Sequence, residues 1–204
     1  MHCPNPLPSP YNNMFTIHGL WPQDANDDEI DPYSSNPNCA GGVIPTPPQD
    51  LPTYLESTPI YPLLDVQWPD LNNPNNNASN YIFWEDEWSK HGQCSDYPAN
   101  PYNYFDSAVR LRHTLTPDFG FQSGEYWTVH EIINTIYNYV YHVPEIACNL
   151  NQNTGGLQLW EIRLCYDRPT SGQDLVQNIR NCTNPTGKPG TLCYNQYNTY
   201  LFVP

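Results

Sequence analysis

The 204-residue chain sets 7 Lys and Arg against 21 Asp and Glu, a formal net charge of -14, with a pI near 4.4. That balance excludes a module that holds nucleic acid by counterion release, which needs clustered basic residues. It does not exclude an enzyme that engages one phosphate and its flanking bases locally, by stacking and hydrogen bonds. The length suits one domain, 1–204, with a proper core. A hydrophobic fraction of 38%, with 16 Tyr, 6 Trp and 23 Pro, predicts a globular protein with aromatic packing and long, turn-rich loops.

Residues 1 to 14 carry too much Pro and Asn for regular structure and read as an extended lead-in. Phe15 to Pro22, FTIHGLWP, alternates so that Phe15 and Ile17 take one side of a short strand and Thr16 and His18 the other. Gly19 lets the backbone turn close to a ligand. Residues 23 to 50 form a loop. Its acidic run, Asp24, Asp27, Asp28, Glu29 and Asp31, reads as solvated surface, since the spacing is not that of a calcium loop. Leu51 to Trp68 supports one weak helical turn interrupted by Pro59 and Pro62, and NNPNNNAS, 72–79, a flexible turn.

The next stretch, YIFWEDEWSKHGQC, residues 81–94, packs three carboxylates, a lysine, a histidine and a cysteine among aromatics. Residues three and four apart share a helix face, so Asp86, Glu87, Lys90 and His91 form one polar stripe, with Trp84, Trp88 and Gln93 largely elsewhere. Taken alone, the stripe is a solvated face with the pairs Asp86–Lys90 and Glu87–His91, and His18 alone is a structural histidine. Taken together they fit a two-proton phosphodiester transfer. One histidine takes the proton from an attacking hydroxyl and the other gives one to the leaving oxygen.

Residues 102 to 116 repeat apolar groups with a mostly helical period, at Phe105, Ala108 and Val109 among others. Thr128 and Glu131 make a capping box for a helix with Ile132, Ile133, Ile136 and Val140 as its buried stripe, ending before Pro144. Leu157 to Asp167 alternates as a strand. Trp160, Ile162, Leu164 and Tyr166 form the more apolar, core-facing side, and Leu159, Glu161, Arg163 and Cys165 the other. The closing TYLFVP reads as an edge strand. His113 reads as a surface histidine, and His130 and His142 sit in no motif and are structural. Seven cysteines without metal-ligand spacing point to disulfides in an oxidising compartment, and no zinc or other metal site is expected. Spacing alone leaves the connectivity open. Asn77 and Asn181 are glycosylation acceptors by sequence, the latter beside a disulfide cysteine.

FTIHGLWP together with Glu87, Trp88, Lys90, His91, Gly92 and Cys94 resembles the two active-site segments of the ribonuclease T2 family, its plant secretory and vacuolar branch in particular. The likeness extends to the later cysteines and to LWEIRLCYD, and so covers most of the chain. It implies an α+β fold, an antiparallel sheet packed with helices in one disulfide-stapled domain, with Cys39 bonded to Cys94, Cys148 to Cys193 and Cys165 to Cys182. Plant members place an opening strand and a cysteine upstream of the position held by Cys3. Their absence here predicts an incomplete or unusually processed N-terminus and an unpaired Cys3.

The resemblance also implies cleavage of single-stranded RNA by transesterification, by a monomer of the secretory pathway, extracellular or vacuolar. DNA is not cut, because the 2′-hydroxyl is the nucleophile, and no cofactor or membrane is involved. His91 would act as general base, His18 as general acid, and Glu87 and Lys90 would steady the phosphorane. Trp21 and Phe83 would shape the pocket, or serve as core aromatics. Asp86 departs from the family pattern, which has a histidine there that helps hold the phosphate. Losing one such preorganised contact costs about 2.7 to 4 kcal/mol, on the order of a hundred- to thousandfold in rate. A weakened ribonuclease, or an inactive relative serving as a storage or defence protein, is therefore expected. The low pI argues against a pistil self-recognition ribonuclease.

Overall fold

The computed structural model describes residues 10, 11, 14–115, 119–152, 154–172 and 174–204. Cys3 and most of the proline-rich lead-in lie outside them. The described residues form a mixed α+β fold that divides into two compact units: Thr16–Thr114 with Arg168–Gln177, and Leu115–Asp167 with Phe15 and Asn178–Pro204.

The first unit is helical: α1 (Leu51–Glu56), α2 (Tyr61–Gln67), α3 (Asn77–Lys90) and α4 (Pro101–Thr114). Leu51 to Trp68 thus holds two helices rather than one weak turn. Pro52 and Pro62 fall within the first two positions of α1 and α2, where a missing N–H costs nothing. Likewise 72–79 is not all turn. The Asn76 side chain accepts from the Ser79 N–H at 3.3 Å, capping α3 and satisfying one orphan donor. The core is aromatic, with Trp68, Trp84, Trp88, Tyr104 and Phe105 almost fully buried. Buried indoles need acceptors, and Trp84 and Trp88 donate to the carbonyls of Trp68 and Thr46 at 2.7 and 2.8 Å. A disulfide joins Cys39 to Cys94, just past α3.

The second unit has β1 (Tyr126–Thr128), α5 (Val129–Val140), β2 (Glu145–Leu150), β3 (Leu157–Arg163), β4 (Cys165–Tyr166), β5 (Ile179–Arg180) and β6 (Tyr200–Phe202). One sheet has the order β1-β6-β3-β2, antiparallel except for β3 with β6, and β4 pairs with β5. The closing strand is therefore interior, not an edge, and Leu201 is fully buried. The sidedness of the 157–167 stretch departs from the expectation only in part, since Ile162 and Leu164 do pack against the core. Leu159 and Glu161 are buried, whereas Trp160 keeps 40% exposure. Charge misled the reading, because Arg163 bonds both Glu161 and Glu145 at 2.8 Å and so lets the charged side turn inward. Disulfides join Cys148 to Cys193 and Cys165 to Cys182.

Helix α5 carries the capping box at Thr128 and Glu131 and buries Val129, Ile132, Ile133 and Ile136. Thr128→Ala removes one half of that box and should lower stability by about 1 kcal/mol, read by chemical denaturation. An unchanged midpoint would mean the cap contributes nothing to this unit.

Candidate active site

The FTIHGLWP segment is not a strand; the main-chain groups of Ile17 and His18 go to a helix end and a side chain rather than to a ladder. Ile17 N–H bonds the Gln67 carbonyl at the end of α2, at 2.7 Å, and the Trp68 indole donates to the His18 carbonyl at 2.9 Å. Ile17 packs on the first core and Phe15 on the second. Gly19 then passes so close to Trp21 and Glu87 that a Cβ there would collide with both.

Beyond Gly19, the Trp21 indole donates to Glu87 Oε2 at 2.9 Å, 66 residues away on α3. The His18 and His91 rings each lie 5.2 Å from the Trp21 ring, centroid to centroid, and Phe83 lies 6.0 Å from His18. His91 Nε2 stands 4.0 Å from Glu87 Oε2. Histidine 91 caps the C-terminus of α3, and Gly92 follows at a point where any Cβ would enter the Trp88 ring. The first unit thus brings together His18, Trp21, Phe83, Glu87 and His91.

The single polar stripe expected on α3 divides in two. Side chains of Glu87 and His91 retain only 5% and 8% exposure, while Asp86 and Lys90 retain 63% and 52% and pair with each other at 2.8 Å. The geometry explains it: Glu87 lies on the arc of Trp84 and Trp88, which face the core, and its carboxylate survives burial by accepting from Trp21. Burial pushes the Glu87 carboxyl up, against the pull of Trp21, His18 and Lys90. The same burial, reinforced by Lys90 and His18, pulls His91 down to about 4. The Asp86 hydrogen bond raises the Lys90 ammonium.

Glu29, read from sequence as solvated, places Oε1 3.3 Å from His91 Nδ1. No local pattern announces this contact, since it depends on the loop doubling back through the Gln23–Glu29 bridge. Asn77 is exposed at the start of α3. Asn181, also exposed, accepts the Val143 N–H at 2.8 Å. Among the described residues no group of three or more His, Cys, Asp or Glu side chains could hold a metal ion, and no helix is long and apolar enough to cross a membrane.

A sequence model of the ribonuclease T2 family matches residues 2–182. The chain belongs to the ribonuclease T2 family. Its relatives include Ribonuclease 1 of Arabidopsis thaliana, 30% identical over 78% of this chain and 64% of that protein. Another is Extracellular ribonuclease LE of Solanum lycopersicum, 30% identical over 87% and 71%. Ribonuclease MC1 from bitter gourd seeds has a similar fold, with a TM-score of 0.61 at 23% identity over 83% of this chain and 80% of that one. Human RNase T2 superposes with a TM-score of 0.57 at 21% identity, over 94% and 85%.

The interaction that sets this T2 site is open to direct test. Trp21→Phe deletes the donor to Glu87, and a hydrogen bond to a charged acceptor contributes about 1.5 kcal/mol, roughly one pKa unit. Carboxyl-carbon NMR titration should show the Glu87 midpoint rising by about that much. A midpoint that stays put would mean the indole does not hold the carboxylate.

Proposed function

We propose that the chain is an RNA endonuclease acting by transesterification, with activity lowered by Asp86. The observation that carries this reading is the placing of two imidazoles each 5.2 Å from one indole, with a buried carboxylate bonded to that indole. His91 takes the 2′-hydroxyl proton and the 2′-oxygen bonds to phosphorus. His18 protonates the departing 5′-oxygen as its bond breaks, which leaves a 2′,3′-cyclic phosphate. Holding His91 neutral down to about pH 4 keeps its lone pair available in acid. Glu87 and Lys90 face the charge that grows on the phosphorane, and Trp21 and Phe83 flank the base. Ribonuclease MC1 variants have been crystallised with 5′-GMP and 5′-UMP, which supports a nucleotide-sized cleft here. The substrate is single-stranded RNA and not DNA, the enzyme a monomer, and its home the secretory pathway, outside the cell or in the vacuole. Disulfides support that placement, and Asn77 and Asn181 are its glycan acceptors.

One observation favours a second reading, an inactive storage or defence protein. Asp86 engages the Lys90 ammonium, so the lysine that would face the phosphate is already paired. The two readings separate on RNA cleavage by purified protein. Wild type should cut RNA slowly and leave DNA intact, and Asp86→His should gain on the order of a hundredfold. His91→Ala should abolish cutting. The wild-type rate should hold as pH falls and drop only near pH 4, where His91 takes up a proton. If neither wild type nor Asp86→His cuts RNA while both remain folded, the storage reading replaces the enzyme.

A further inference from the structure

The geometry points to Glu29 as a positioning residue for His91: its carboxylate is placed to accept a hydrogen bond from Nδ1–H in the substrate complex, which would leave the lone pair on Nε2, the nitrogen turned toward Glu87 and the reacting hydroxyl. The inference rests on the transesterification reading above. Three observations carry it. His91 Nδ1 is buried without a hydrogen bond of its own, a costly state for a polar atom. Glu29 Oε1 stands 3.3 Å away, at ion-pair distance but out of hydrogen-bond alignment, and such contacts commonly tighten only when substrate closes a site. The third is that the chain is built to bring this carboxylate there.

The same segment that carries His18 and Trp21 doubles back after Pro22. Ile30 N–H bonds the Pro22 carbonyl at 3.2 Å, and Asp24 N–H bonds the Asp28 carbonyl at 2.8 Å. The Asp24 side chain accepts the Asn26 and Asp28 N–H groups at 2.7 and 3.0 Å, which closes the turn. One continuous stretch therefore supplies His18, the Trp21 indole and Glu29, and α3 supplies the ring they surround.

Neutral imidazole has one N–H and one lone pair, and the acceptor at one nitrogen decides which is which. With the proton on Nδ1, Nε2 can take the hydroxyl proton. The resulting imidazolium keeps both, its charge facing Glu29 on one side and Glu87 on the other. Lys90 and His18 oppose that charge, and Asp86 offsets Lys90. Of these neighbours Glu29 alone stands against Nδ1 within the described residues.

Imidazole-nitrogen NMR of the full chain, together with RNA cleavage across pH, tests the assignment. In wild type His91 should show its lone pair on Nε2. Glu29→Ala should mix the two tautomers, lower the His91 midpoint by about one unit as the carboxylate is lost, and cut kcat by on the order of tenfold with KM unchanged. Glu29→Gln keeps an acceptor without the charge, so the tautomer should be retained while the midpoint still falls. An unchanged tautomer and midpoint in Glu29→Ala would overturn the role. Should the wild type prove unable to cut RNA, the enzyme reading fails, and the nitrogen signals still decide what Glu29 does to His91.

Discussion

A single hydrogen bond, from the Trp21 indole to the buried Glu87 carboxylate, ties the chain's irregular opening segment to its central helix. Without a donor, a carboxylate on the inward arc of α3 would cost several kcal/mol to bury. With it, Glu87 sits among Trp84 and Trp88 and fixes where the indole lies. The indole in turn lies 5.2 Å from each of the two imidazoles. Gly19 is required by the same contact, since the backbone passes where a side chain would strike both partners. Site geometry thus follows from a packing solution in the aromatic core, and α2 holds the opposite end of the segment through Gln67 and Trp68.

Burial acts on Glu87 and His91 with opposite signs because their charged forms are opposite. The imidazole, at about 4 in the fold against 6.5 when free, contributes stability that is present above the free value and fades as pH falls toward 4. Glu87, raised above its free value of 4.5, does the reverse, and its contribution is present in acid and lost as pH climbs through the raised value. The two slopes oppose each other in mildly acidic solution, where burial favours the neutral forms of both Glu87 and His91. That behaviour agrees with a chain of net charge -14, whose repulsion of RNA weakens as carboxylates protonate.

Much of this was legible in the residues, and the failures share a cause. The α5 capping box and its isoleucine stripe express strong local rules, and the structure follows them. The cysteine pairs came from family likeness, since spacing alone left them open. Where the sequence misled, tertiary partners overrode local appearance. Glu161 looks like a solvent-facing residue until Arg163 neutralises it, Glu87 until Trp21 bonds it. Pro62 looks like a helix breaker until it is seen in the first turn of α2. TYLFVP, read as an edge, lies between two strands far away in sequence. Of the site, His18 and His91 stand out in their motifs, but Glu29 does not, because its place depends on a backbone turn that no residue pattern specifies.

The central claim is that His18 and His91 serve one phosphate. The most direct measurement is NMR of both imidazoles and the Trp21 indole N–H during titration with 5′-GMP. All three signals should move together and fit one dissociation constant. Movement of one histidine without the other, or two separate binding curves, would contradict it.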